Sequence, residues 1–214
     1  MPDLSEHLRS CLAGTTPSKA TDTLLLPGLT AAQSVPYLRF FPESPIWAAV
    51  LVPLVERADG LTVLLTQRAT QLKNHAGQIS FPGGRIEPTD ANATAAALRE
   101  AHEEIGLDPR LVEVVGYLPD HIVITGFRVT PVVAFVRPDF ELLIDSEEVE
   151  SAFEVPLEHI FEPANHRARM RRLGGGEVEV QMSDITYGDK VIWGATAGML
   201  LTLARLCAPG IVRD

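Results

Sequence analysis

Cysteine, basic residues and long apolar runs are all scarce in this sequence. Its two cysteines, Cys11 and Cys207, lie near opposite ends of the chain. They form neither a metal-ligand spacing nor a redox motif, so we interpret them as reduced structural thiols. The N-terminus lacks a basic segment followed by an apolar one, and the apolar stretch 195–207 is too short to span a bilayer. These absences predict a cytoplasmic protein without a membrane segment.

The charge balance is acidic. Lys and Arg number 18 against 28 Asp and Glu, which gives a formal net charge of -10. Such a chain gains little from the phosphate backbone of nucleic acids, so we expect no nucleic-acid partner. An acidic surface also repels a phosphorylated small molecule unless cations lie between them. The composition therefore favours phosphate chemistry that depends on a metal ion.

Proline and the apolar pattern divide the chain. Leu4, Leu8 and Leu12 predict a short amphipathic helix, and the prolines that follow disrupt regular structure. We therefore interpret residues 1–45 as a helix with an extended wrapping segment, residues 46–207 as the single main domain, and residues 208–214 as a tail.

The main domain alternates strand-like and helix-like patterns. Predicted strands occupy 48–52, 62–66, 111–118 and 129–137, with a late hairpin at 177–182 and 190–193. Predicted helices occupy 92–104 and 194–207. Pro131 indicates a bulge or an edge strand. This order predicts an α+β fold, an α/β/α sandwich in which a mixed β-sheet is flanked by helices on both faces.

The most informative segment is the helix that contains Arg99 and three glutamates. Glu100, Glu103 and Glu104 are related by helical spacing, so their carboxylates share one face and repel each other. Mg²⁺ or Mn²⁺ would neutralise such a face, because both ions prefer oxygen ligands. The alternative is an ordinary solvated acidic face. The preceding glycines, Gly83 and Gly84, favour the metal site because they let the backbone approach a ligand closely.

The segment from Gly84 to Leu107 resembles the Nudix box, which reads Gly, five residues, Glu, seven residues, Arg-Glu-apolar-x-Glu-Glu-x-Gly-apolar. The sequence matches it at the Arg-Glu-x-x-Glu-Glu core, 99–104, and at Gly106. It departs at Asp90, which replaces the first glutamate and is separated from Arg99 by eight residues instead of seven. The resemblance implies a hydrolase that cleaves a diphosphate bond with water and needs a divalent metal.

A second motif resembles the signature of the coenzyme A pyrophosphatase branch of that superfamily. It runs from Leu64-Leu65-Thr66 to Phe81-Pro82-Gly83-Gly84. This branch implies cleavage of coenzyme A to 4′-phosphopantetheine and adenosine 3′,5′-bisphosphate. Alternatives are hydrolysis of ADP-ribose or a dinucleotide, and a non-catalytic nucleotide-binding module. A homodimer is an expectation by analogy.

The two resemblances together imply the site residues. The catalytic candidates are Arg99, Glu100, Glu103 and Glu104. The metal candidates are the Gly84 carbonyl, Glu100, Glu103 and Glu104. The substrate-binding candidates are Arg68, Lys73, Gly77, Gly83 and Arg85. Candidates for the general base are Glu103, Glu147 and Glu148. The basic run 167–172 is interpreted as a solvated loop.

Overall fold

The computed structural model describes residues 4–19, 31–35, 44–72, 75–123, 126–173 and 178–208. Lys73 and most of the expected wrapping segment and tail lie outside these ranges. The proposed division at residues 45 and 207 stays a prediction. Across the described ranges, every helix is too short or too polar to cross a lipid bilayer.

Helices and strands alternate along the described chain. The helices are α1 Leu4–Leu12, α2 Ala31–Ser34, α3 Ala93–Ile105, α4 Leu157–Phe161 and α5 Gly194–Cys207. The first strands are β1 Ile46–Arg57, β2 Gly60–Arg68, β3 Ile79–Ser80, β4 Gly83–Arg85, β5 Val112–Tyr117 and β6 His121–Ile122. The later strands are β7 Phe127–Val136, β8 Val149–Pro156, β9 His166–Leu173, β10 Val178–Tyr187 and β11 Lys190–Ile192.

The large sheet is mixed and has β1 near its centre. β1 runs parallel to β7 and antiparallel to β2 and β4, and β8 extends the sheet beyond β2. β1 and β2 form a hairpin, with Arg57 paired to Gly60 at its turn. Because β4 pairs with β1, the glycine turn is fixed to the most central strand of the sheet.

Helices cover both faces of this sheet, so the predicted α/β/α arrangement is confirmed. On one face α3 packs through Ala96, Ala101 and Ile105 onto β1 and β7, in an apolar cluster of its own. On the opposite face a larger cluster joins the sheet to α1, α4 and α5. Of the described helices, α3 is the one that contributes buried residues to the first cluster.

Two details of the strand prediction are wrong. Pro131 lies in β7, which is an inner strand between β1 and β5, and the register shift lies in β5 instead. The position tolerates proline because β5 ends opposite Val132 and β6 begins opposite Val129, so neither strand pairs with residue 131 on that side.

The basic run 167–172 is also different from the expected loop. It forms β9, which pairs with β10 from Leu173↔Val178 to Ile185↔His166, and β11 completes a second, three-stranded sheet. The predicted late hairpin is thus β10 and β11, with β9 as an additional strand.

Candidate active site

The acidic helix α3 has well-defined ends. The Asn92 side chain accepts a hydrogen bond from the Ala95 N–H, and the helix ends at Gly106, whose φ is 70°. Its apolar residues face the sheet, so the glutamates at 100 and 104 are directed toward the glycine turn. The predicted helix and its end at Gly106 are confirmed.

The glycine turn before α3 has no room for side chains. A Cβ at Gly83 would overlap the backbone of Ala49 and Val50, and its φ is 155°. A Cβ at Gly84 would overlap the carboxylate of Glu100. The two glycines therefore allow β4 to lie directly between the central strand and the acidic helix.

Arg99 is hydrogen-bonded to several acidic residues of the site. Its guanidinium donates to both carboxylate oxygens of Asp90 at 3.0 and 2.9 Å, to Glu100 at 3.0 Å and to Glu103 at 2.8 Å. It also donates to the Arg85 carbonyl at 3.1 Å. These bonds hold the pKa of Asp90 below its usual value and raise the pKa of Arg99. Arg99 thus fixes the glutamates relative to the loop.

Glu104 is the most unusual group of the site. Its side chain is only 3% exposed, yet its nearest donors are distant: the Gly83 N–H at 3.4 Å and the Arg68 guanidinium at 3.9 Å. Burial, with the nearby charges of Glu100 and Glu148, raises its pKa to about 8. Burial also raises the pKa of Glu100. Two neighbouring carboxyls therefore share a buried space without adequate neutralisation.

Glu148 reaches the site from the segment before β8. The Asp145 N–H donates to the Glu104 carbonyl, and the Glu148 carbonyl accepts from the Ala69 N–H. Its charge acts on both Glu100 and Glu104. Of the two loop acids proposed from the sequence as general bases, the one whose charge acts on this pair is Glu148.

The predicted substrate-binding residues are partly brought together. Arg68 lies at the end of β2 beside Glu104, and the Gly77 N–H donates to the Arg68 carbonyl, which closes the loop between β2 and β3. The Arg68 Nε is buried without a hydrogen-bond partner. Arg85 lies farther along β4, where its guanidinium stacks on the Phe127 ring. Arg68 is therefore the cation placed to meet an anionic ligand at the glutamates.

The glutamates separate into a pair and an outlier. Glu100 and Glu104 meet at the glycine turn, whereas Glu103 is 57% exposed and hydrogen-bonded to Arg99. Among the described residues, no three acidic, histidine or cysteine side chains converge closely enough to hold an ion as they stand. The Gly84 carbonyl belongs to the β4–β1 pairing, opposite Ala49.

The donor set nevertheless suits a divalent cation. A buried carboxylate with two further acids nearby is costly without a counter-charge, and the described donors to Glu104 lie at 3.4 and 3.9 Å. Oxygen donors of this kind match the preference of Mg²⁺ and Mn²⁺. The poorly neutralised carboxyl of Glu104, with the half-buried Glu100 beside it, therefore fits the ion that the sequence implied.

Sequence reasoning did not find the partnership of Asp90 with Arg99. Asp90 is 5% exposed and also accepts from the Glu87 N–H at 2.8 Å, so it anchors the loop and the arginine at once. The departure from the family pattern at this position pointed to it, but only the folded loop shows what it binds.

Comparison with known proteins identifies the family and the fold of this chain. The family model described as NUDIX domain matches residues 45–174. The uncharacterized Nudix hydrolase NudL of Enterobacter sp. strain 638 is 44% identical over 158 residues, 73% of this chain and 80% of the relative. NudL of Escherichia coli K12 is 45% identical over 162 residues, with the same coverage. The crystal structure of the Nudix hydrolase RenU from M. smegmatis shares the fold, with a TM-score of 0.53 at 18% identity, covering 79% of this chain and 90% of that chain.

Proposed function

We propose that the substrate of this chain, which belongs to the Nudix family, is coenzyme A. The premise is that the chain is a pyrophosphohydrolase of nucleoside diphosphate derivatives. The proposed reaction is hydrolysis of the diphosphate bond, with 4′-phosphopantetheine and adenosine 3′,5′-bisphosphate as products. The proposed cofactor is Mg²⁺ or Mn²⁺. The cytoplasmic location and the homodimer expected from the sequence stay predictions.

One observation carries this proposal: the two sequence motifs meet in space. Leu64, Leu65 and Thr66 of the coenzyme A signature lie in β2, and the Thr66 hydroxyl donates to the Ser80 carbonyl at 3.2 Å. Arg68, the last residue of β2, lies beside Glu104 of the Nudix box. Motifs that form one site are expected to act on one substrate.

The metal would be held by Glu100 and Glu104, with the Gly84 carbonyl and Glu103 as further proposed ligands. A divalent ion supplies charge neutralisation at the diphosphate and acidifies the attacking water. Arg99 holds Glu100 and Glu103 in place through its hydrogen bonds, and Asp90 in turn holds Arg99. The protein thereby fixes its acidic groups before the substrate arrives.

Two other roles follow from position. Glu148 is the proposed general base, because its charge acts on both glutamates from the opposite loop. Arg68 is the proposed contact to a substrate phosphate, since its Nε has no hydrogen-bond partner among the described residues and its guanidinium lies 3.9 Å from Glu104.

The substrate is tested by comparing turnover of coenzyme A, acetyl-coenzyme A, ADP-ribose and NADH with Mg²⁺. Coenzyme A or its acetyl ester is expected to have the highest kcat/KM, and product analysis in labelled water identifies the phosphorus that is attacked. Equal or faster hydrolysis of ADP-ribose would contradict the coenzyme A assignment.

The Arg68→Ala variant tests the proposed contact of Arg68 with a phosphate of coenzyme A. Loss of a charged hydrogen bond to phosphate is expected to raise the KM for coenzyme A by at least about tenfold. Arg172→Ala is the matched control, because Arg172 is 72% exposed and pairs with Glu179 on the second sheet. A KM that is the same in both variants would remove Arg68 from the site.

A further inference from the structure

The two cysteines, distant in the sequence, meet in the fold. α1 packs on α5, and Cys11 and Cys207 belong to the same apolar cluster. Cys11 is among the groups that act on the Cys207 thiol, so the two thiols are neighbours. The interpretation as reduced structural thiols did not include this proximity. Both are free thiols in the structure.

The two thiols differ in access. Cys207 is fully buried at the end of α5, whereas Cys11 is half-buried on α1. One turn before Cys11 on the same helix, the Nε2 of His7 lies 3.5 Å from the Cys11 sulfur. A histidine at this distance is able to take the thiol proton, and the thiolate is the reactive form of cysteine. Cys11 is thus the thiol that an external reagent reaches first.

Burial makes Cys207 a poor first nucleophile. It raises the pKa of the Cys207 thiol to about 12, so this thiol stays protonated until a reactive sulfur is placed beside it. Cys11 is therefore an accessible attacking thiol with a base, His7, nearby. Cys207 is a sheltered second thiol beside Cys11.

We propose that Cys11 and Cys207 form a reversible intramolecular disulfide that a small organic disulfide, RS–SR, installs by thiol exchange. Cys11 attacks one sulfur of RS–SR, and its proton passes through His7 to the RS⁻ that leaves, which gives a mixed disulfide and one RSH. Cys207 then attacks the Cys11 sulfur, and its proton goes to the second RS⁻. Two protein thiols are oxidised to one disulfide, and RS–SR is reduced to two RSH.

The disulfide would join the N-terminal segment covalently to the last helix. Among the described residues beyond α1, the Thr15 hydroxyl bonds the Tyr117 N–H at 2.8 Å and the Ser18 hydroxyl bonds the Asp120 N–H at 3.1 Å. A bond between Cys11 and Cys207 closes nearly the whole chain into one loop, which is the case in which a disulfide restricts the unfolded chain most.

The test equilibrates the full chain with reduced and oxidised glutathione in the presence of EDTA, quenches with acid, and maps the unreduced digest by mass spectrometry. We expect a peptide that joins Cys11 to Cys207, a monomer mass lower by two hydrogens, and a Tm higher by at least about 5 °C. Addition of dithiothreitol is expected to reverse all three changes.

Two single variants separate this outcome from its alternatives. Cys11→Ser changes a half-buried position and should fold normally, yet lose both the crosslink and the rise in Tm. Cys207→Ser should retain glutathione on Cys11 as a stable mixed disulfide. A wild-type chain that ends with glutathione on Cys11 and no internal crosslink, or that forms dimers linked through Cys11, would overturn the proposal.

Discussion

Two buried carboxylates, those of Asp120 and Glu104, differ in the hydrogen-bond donors that surround them. Asp120 is fully buried and is met by the Arg128 Nε at 2.6 Å and the Thr130 hydroxyl at 2.8 Å. Glu104 is nearly as buried, but its nearest donors lie at 3.4 and 3.9 Å. Burial raises the pKa of both carboxyls, and only Asp120 has close donors to offset it.

The contrast separates a structural acid from one that we propose to be functional. The Asp120–Arg128 ion pair is buried, and the Asp120 N–H donates to the Ser18 hydroxyl of the N-terminal segment. Among the described residues, the donors nearest to Glu104 lie at 3.4 and 3.9 Å. An acid that is buried at such cost with distant donors is expected where a ligand supplies the missing charge.

The largest effect is expected from Glu104→Gln. It removes the central charge of the acidic pair, so we expect kcat/KM for coenzyme A to fall by about 10³-fold, the size of losing one charge-stabilising group. The fold should persist, because the amide occupies the same volume. Steady-state kinetics with Mg²⁺ measure the loss, and circular dichroism checks the fold. Near-normal turnover would refute the functional role of Glu104.

Asp120→Ala is expected to act on stability instead. It leaves the Arg128 charge buried without its main partner, which should cost about 3–4 kcal/mol of the free energy of unfolding. Urea denaturation measures this cost. The matched control is Glu113→Gln, since the Arg9–Glu113 pair is exposed and should contribute less than about 1 kcal/mol. Equal effects of the two variants would contradict the contrast between buried and exposed pairs.

The metal-free protein should lose stability as the pH rises. The folded pKa of Glu104, about 8, lies above its unfolded value of 4.5, so the folded state holds the extra proton between these values. Stability is therefore full below about pH 4.5 and declines up to about pH 8, by about 4 kcal/mol. Denaturation in EDTA at pH 5, 6.5 and 8 measures the decline.

Two controls assign this decline to the site. Glu104→Gln should flatten the pH dependence, because the titrating carboxyl is gone. Mg²⁺ at pH 8 should restore stability to the wild-type protein, since the ion replaces the proton as the neutralising charge. A wild-type protein that becomes more stable between pH 5 and pH 8 in EDTA would contradict the raised pKa.

The smallest effect is expected from Arg99→Lys. A lysine keeps the charge but cannot bind both oxygens of Asp90 while also reaching Glu100 and Glu103. We expect about a tenfold loss of kcat/KM, typical of disturbing groups that orient the ligands. Asp90→Asn should give a similar loss. If both variants keep full activity, Arg99 does not position the glutamates.

Local features of the site could be predicted because short-range rules determine them. The helical spacing of Glu100 and Glu104, and the stop at Gly106, depend on residues within a few positions of each other. The bond from Arg99 to Asp90 depends on how the loop turns back, and that turn has no repeating pattern in the sequence.

Long-range pairing explains the remaining errors. The segment of β9 is expected to be a loop because its arginines obscure the alternation of apolar and polar residues that is typical of a strand. Its pairing with β10 makes this segment a strand. Pro131 was expected at an edge because the sequence does not show that β5 and β6 leave a gap beside it. The proximity of Cys11 to Cys207 likewise requires the packing of α1 on α5.

The most direct test of the site is a Mn²⁺ titration of the wild-type protein and of Glu104→Gln, in which free Mn²⁺ is measured by electron paramagnetic resonance at pH 8. If the buried pair is built for a divalent ion, the wild-type protein will deplete the free ion and the variant will bind at least about tenfold more weakly. Equal binding by the two proteins would show that Glu104 has no role in holding the metal.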